Sequence, residues 1–167
     1  MKKLADTVKF TKEFWKRLIG GRNFGLIKMI IKRVQKDGEN YKGESFAAYA
    51  EWYAKAKGSG DKEKLNLGDQ RQESKSTKPD MTLTNKMLWG LQPWELEDNG
   101  IVFGWEGPNA EKVANLHGKK NYQIIGLDGG KSLSDAEEQH IHTGVEEFIG
   151  DNLKTWSKEK IEIKLGK

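Results

Sequence analysis

MTLTNKMLWGLQPWELEDNGIVFGWEG, residues 81–107, carries a helix signal, a breaker and a hairpin in one run. Leu83, Met87, Leu88 and Leu91 fall on one helical face, with Thr82 or Thr84 available as N-cap, which predicts about two helical turns. Pro93 ends that helix, because it lacks an N–H and pushes the residue before it toward extended geometry. Trp94 and Leu96 then form one arm of a hairpin, and Ile101, Phe103 and Trp105 the other. Asp98-Asn99-Gly100 supplies the positive φ angles of a tight turn. A lone hairpin is marginal in water, so the chain around it must provide strands or helices to cover it.

The 167 residues are most economically one domain, 1–167, long enough to bury a core without staples. There are no cysteines, which excludes a disulfide framework or a thiolate zinc site. No apolar run reaches the length of a membrane span and no signal peptide is evident, so a soluble, cytoplasmic protein without membrane contact is expected. The net charge of +4 is unevenly spread: residues 1–44 hold 12 Lys/Arg against 5 Asp/Glu, and residues 81–167 hold 10 against 14. The N-terminal part is therefore a basic face, fit for phosphates or an acidic protein, or else a solvated helix surface.

Outward from the hairpin, the N-terminal side reads as helices. Leu4, Val8, Phe14, Trp15 and Leu18 predict a helix over 4–19, stopped by Gly20-Gly21. Ile27, Ile30, Ile31 and Val34 predict another over 23–36, with Lys28, Lys32, Arg33 and Lys36 away from its apolar stripe. The two are also readable as one long kinked helix. Ser45 is the expected N-cap of a third helix ending at Gly58, with Phe46, Tyr49, Ala50 and Tyr53 on a core face and Trp52 off it. Residues 59–80 hold only Leu65 and Leu67 as large apolar groups, so a flexible internal loop is expected there, either a floppy insertion or a segment that orders on a neighbouring subunit.

On the C-terminal side, Ala110, Val113, Ala114 and His117 predict a short helix over 109–117, capped by Gly118. Tyr122–Leu127 is a candidate added strand. Ser134 and Glu137 form a capping box for a final helix carrying Ile141, Val145, Phe148, Leu153 and Trp156, out to about residue 157. The alternating tail 161–165 is a possible edge strand. The fold class expected is α+β: a small antiparallel sheet with a central hairpin, covered by N-terminal helices and a C-terminal amphipathic helix.

Chemistry is hard to find. His140 and His142 are two apart, so on a helix they point away from each other and cannot share a metal; surface histidine is the better reading. Glu137, Glu138, Glu146 and Glu147 read as a solvated helix face. The glycines fit no phosphate loop, and no serine sits in a nucleophile elbow. No catalytic, cofactor-binding or metal residue is assigned. Basic N-terminal helices and tryptophans leave a nucleic-acid reading that rests on charge alone.

In order, the phrases KGESFAAYAEWYAKAKG at 42–58, a polar gap, Leu83-Thr84-Asn85-Lys86-Met87-Leu88, the hairpin, NAEKVANLHGK at 109–119, an extended segment and an acidic final helix resemble the phage virion morphogenesis proteins, the tail-completion and head-to-tail joining proteins of long-tailed bacteriophages. The likeness spans roughly residues 24–155. It implies a non-enzymatic neck or tail protein of the virion, assembled in the bacterial cytoplasm as a ring of identical subunits against adjacent neck or tail proteins, with possible passing contact with DNA. Partner contact is then expected from Lys28, Lys32 and Arg33 on the second helix and from Lys62, Lys64, Arg71, Lys75 and Lys78 in the loop.

Overall fold

The computed structural model describes residues 10–20, 25–82, 84–97, 100–117, 122–126 and 132–165, with backbone alone for 94–97, 100, 101, 117 and 155–165. Helix α1, Lys12–Ile19, starts where the Thr11 hydroxyl accepts the Phe14 N–H at 3.1 Å. It turns Phe14, Trp15, Leu18 and Ile19 inward. Residues 4–9 of the predicted first helix lie outside the described residues. Gly20, at φ 64 and ψ 175, breaks the helical path, so α1 and α2 are separate helices rather than one kinked rod.

Helix α2, Gly25–Lys32, begins hard against the end of α1. Gly25 has φ +73, and a Cβ there would stand 2.6 Å from the Leu18 carbonyl oxygen and 2.7 Å from that of Ile19. Only glycine meets both demands. The predicted stripe of Ile27, Ile30, Ile31 and Val34 is buried, with Leu26 beside it. The helix passes directly into a π-helical turn, Arg33–Asp37, closed by Gly38 (φ 70), whose N–H reaches the Arg33 carbonyl at 2.9 Å.

The third helix starts later than expected. Ser45 caps nothing; it bridges back to Glu39 across a loop in which the Asn40 side-chain oxygen accepts the N–H groups of Lys42 (2.9 Å) and Glu44 (3.0 Å). Residues 46–50 after it carry no regular structure, and Phe46 reaches the core, stacked on Tyr122 with ring centroids 6.0 Å apart. Helix α3 is therefore Glu51–Ser59, ending on left-handed Gly60 rather than at Gly58. Trp52 lies off its inner face as expected, 62% exposed.

The central stretch folds as a single turn, α4 (Lys86–Trp89), then β1 (Gln92–Glu97) and β2 (Gly100–Gly104). Asn85, at φ 59, rather than Thr82 or Thr84, precedes α4, and Leu83 lies outside the described residues. Gly90 already ends the helix, so Pro93 stands inside β1 opposite Phe103, with a bulge between Pro93 and Glu95. Proline is tolerated there because β1 is an edge strand. Glu97 pairs with Gly100, so Gly100 belongs to β2 rather than to the turn; Asp98 and Asn99, the other expected turn residues, lie outside the described residues. Trp105 follows β2, buried, its indole N–H donating to the Met87 carbonyl at 2.7 Å.

Among the described residues the sheet has only these two antiparallel strands. Residues 122–126 form no strand. Their carbonyls go elsewhere, Gln123 to the Tyr41 N–H (3.2 Å) and Ile124 to the Arg33 guanidinium (2.9 Å), while Ile124 and Ile125 fill the core. The chain continues through α5 (Pro108–His117), with Val113 buried, Ala110 packed on the core and Ala114 exposed, to α6 (Asp135–Leu165).

The tail 161–165 is helical, not an edge strand, because α6 runs on through it. Extending an existing helix needs no new nucleus, and five alternating residues offer nothing stronger. Ile141, Val145 and Phe148 of α6 pack on the Phe14–Trp15–Leu18 cluster of α1, whereas Leu153, placed on the same stripe by sequence, is exposed. The fold is α+β, a small antiparallel hairpin with helices flanking it. Among the described residues no helix is long and apolar enough to cross a membrane.

Gly25→Ala tests the α1–α2 junction. Left-handed strain and a backbone clash together should lower stability by about 3 kcal/mol, read as a lower urea midpoint at unchanged slope.

Candidate functional site

Arg33, placed by sequence on a partner-facing surface, is interior. Its Nε donates to Glu137 Oε1 at 2.8 Å, Nη2 to Glu137 Oε2 at 3.2 Å and to the Ile124 carbonyl at 2.9 Å, and Nη1 to the Glu39 carbonyl at 3.0 Å. The two side chains are 8% and 2% exposed. Glu137 is correspondingly not part of a solvated acidic face. Its Oε2 also accepts the Ser134 N–H at 2.9 Å, the backward arm of the capping box. A sequence signal did exist: Arg33 follows Ile30 by three residues and Leu26 by seven, so it sits beside the apolar stripe.

A second buried ion pair closes the base of the 59–80 segment. Lys57 is 0% exposed and paired with Asp80, with the Tyr49 ring centroid 4.9 Å from its Nζ. The Tyr49 hydroxyl donates to Asp80 Oδ1 (3.1 Å) and accepts the N–H groups of Asp80 (3.1 Å) and Met81 (3.0 Å). Asp80 Oδ2 takes the Ser74 hydroxyl at 2.6 Å, and Gln72 Nε2 bridges the Lys57 and Ser74 carbonyls at 2.7 Å each. Burial pushes the Tyr49 phenol well above its ordinary range; the Asp80 charge adds to that and the two backbone N–H groups oppose it. Burial, then Asp80, raises Tyr53 as well.

The segment expected to bury too little thus seats Leu65 and Leu67 against Ala56 and Tyr53. Its path is set by polar clamping that composition does not reveal. The aromatic stripe gave a partial hint, since Tyr49, Tyr53 and Lys57 are spaced by four.

The remaining candidate cations are exposed. Lys28 and Lys32 lie on α2; Lys62, Lys64, Arg71, Lys75 and Lys78 lie along residues 59–80. Lys64 pairs with Asp61 at 3.1 Å and Arg71 with Glu73 at 3.4 Å, surface contacts that contribute little to stability. The Lys64 N–H, and then its ammonium, hold the Asp61 carboxyl below its ordinary range. The two sets sit on separate elements. A cavity of about 380 Å³ beside Lys32 and Arg33 also carries Lys42, Asp37, Glu39 and Asp135, a mixed rather than a basic lining.

His140 and His142 have separate surroundings. His140 Nε2 lies 3.1 Å from the Leu18 carbonyl oxygen, tying α6 to α1, and His142 is exposed. Among the described residues no group of His, Cys, Asp and Glu is arranged to hold a metal ion. No protein-family model, curated protein or solved structure matches the chain.

Arg33→Met leaves Glu137 charged and buried without its partner, and should cost about 3–5 kcal/mol in chemical denaturation, most of it recovered in Arg33→Met/Glu137→Met. Tyr49 gives a pH test. Its proton is held more tightly in the folded than in the unfolded chain, so stability is full below the ordinary phenol value of 10.0 and falls as pH rises past it. Ultraviolet titration should show a fraction of the phenol ionising well above that value, and Tyr49→Phe should remove part of that late fraction.

Proposed function

We propose that this chain is a non-enzymatic structural protein of phage neck or tail assembly, completing the tail or joining head to tail as a ring of identical subunits. The order of phrases between residues 24 and 155 supports that reading. The observation that carries it is the 59–80 segment, clamped at its base by Lys57, Asp80 and Tyr49 while Lys62, Lys64, Arg71, Lys75 and Lys78 face outward. A polar arm with a set path suits a contact repeated from subunit to subunit, where one surface meets a different one and rotation closes the ring. Its outward cations suit an acidic neighbour, since complementary charge speeds docking and fixes register.

A nucleic-acid-binding accessory role is the second reading. It is favoured by exposed Lys12, Lys16 and Arg17 on α1 together with Lys28 and Lys32 on α2, and weakened by the withdrawal of Arg33 into the interior.

Quantitative mass spectrometry of purified virions from the source separates the two. The assembly reading expects peptides of this chain at a small fixed copy number relative to the portal, and absence from well-formed particles would remove it. The nucleic-acid reading expects instead DNA affinity that falls steeply with salt, as phosphate-bound counterions are released.

A further inference from the structure

The two strands of the sheet have unlike outer edges. Folded proteins blunt exposed edges with charge, proline, bulges or a covering element, because unpaired N–H and C=O groups otherwise recruit another strand. β1 uses all of these: it contains Pro93, Glu95 and Glu97, it is bulged between Pro93 and Glu95, and α1 lies against it. β2, Gly100-Ile101-Val102-Phe103-Gly104, has no charge and no proline. Among the described residues no strand pairs with its outer side, and Val102 is 47% exposed.

We infer that β2 is a self-pairing edge, on which a second copy of this chain lays its own β2 antiparallel, joining two strands from each copy into a sheet of four about a two-fold axis. The phase of the hairpin permits it. Glu97 is paired with Gly100, with two residues between them in sequence, and a pair at that spacing is hydrogen-bonded; alternation then turns the N–H and C=O groups of Ile101 and Phe103 to the outer edge. Antiparallel pairing of β2 with itself about Val102 sets each Ile101 opposite Phe103 of the second copy, where both outward pairs of groups find partners. Gly104, at the far end of the strand, is buried, so the pairing is carried by Ile101, Val102 and Phe103. The two Val102 side chains meet at the axis in a non-hydrogen-bonded pair, the closer of the two pair types.

The chemistry of the edges selects the occupant. A neutral strand with glycine at both ends and bulk between is complementary to itself in either copy. Head-to-tail growth, β2 onto the β1 edge of the next copy, meets Pro93, the bulge and α1. Association therefore stops at a closed dimer instead of a filament. The contact lies on a different element from the 59–80 arm and is tested on the free protein, so it stands or falls independently of the assembly reading.

The test is the light-scattering mass of the full chain across micromolar to millimolar concentration, for wild type, Val102→Lys, Val102→Glu and their equimolar mixture. Wild type should pass from monomer to dimer mass. Each variant should stay monomeric at unchanged circular dichroism, because like charges face each other at the axis. The mixture should regain the dimer, lysine now facing glutamate. A wild-type chain monomeric at every concentration, a single variant that dimerises like wild type, or a mixture that stays monomeric overturns the inference.

Discussion

A guanidinium buried between four stretches of chain sets the arrangement of this molecule. Arg33 and Glu137 join the π-helical turn, the carbonyls of Glu39 and Ile124, and the start of α6 through Ser134. A buried ion pair adds little net stability over well-packed apolar groups of similar volume, but its donors accept few geometries. Arginine's planar fork makes the difference here. Nε and both terminal nitrogens are used in different directions, which a lysine's point charge does not reproduce. Residues 122–126 depend on it most, since they hold buried Ile124 and Ile125 without joining the sheet. A buried carbonyl there needs a donor, and the guanidinium supplies one.

The Lys57–Asp80–Tyr49 knot solves a different problem with the same kind of chemistry. A polar stretch of this length brings little apolar surface against its ordering entropy. Closing its base with an ion pair, and stitching it with Ser74, Gln72 and Thr82, fixes the two ends together. Loop-closure cost grows only slowly with length, so a clamp at the base is an effective place to hold a long segment. Leu65 and Leu67 then need only a small patch, the one offered by Ala56 and Tyr53.

The parts of the fold legible in the sequence were those written in periodicity. The α2 stripe, the hairpin arms, the Phe14–Trp15–Leu18 face and the α6 capping box all follow from residue spacing. What was hidden depended on distant partners. Ser45 looks like a cap until Asn40 is seen organising the turn before it, with the next residues outside any helix. Tyr122–Gly126 has strand composition, but Arg33 and Tyr41 take its carbonyls. Of the candidate site, the exposed cations were readable as exposed. Arg33 was misplaced because a charge beside an apolar stripe is usually solvated, and its acid lies 104 residues away.

The distribution of packing bears on where a partner contact can sit. The main core gathers α2, Phe46, α4, Trp105, Val113 and Ile124–Ile125, and α1 is bound to α6 by aromatic packing, by Leu18 against Gly144 and by His140. Ala56, Leu65 and Leu67 form a separate small cluster, linked to the main core where Asp80 and Tyr49 hold the backbone at Met81 and Thr82. The exposed charges on α3 and residues 59–80 are thus exchangeable without repacking the centre, whereas Arg33, Glu137, Gly25 and the buried Lys57–Asp80 pair are not. A protein that must match a neighbour's surface gains from having its outward charges on the unit with the fewest core obligations. On the assembly role proposed above, that separation favours the 59–80 arm over the cavity beside Arg33 as the place for a docking surface.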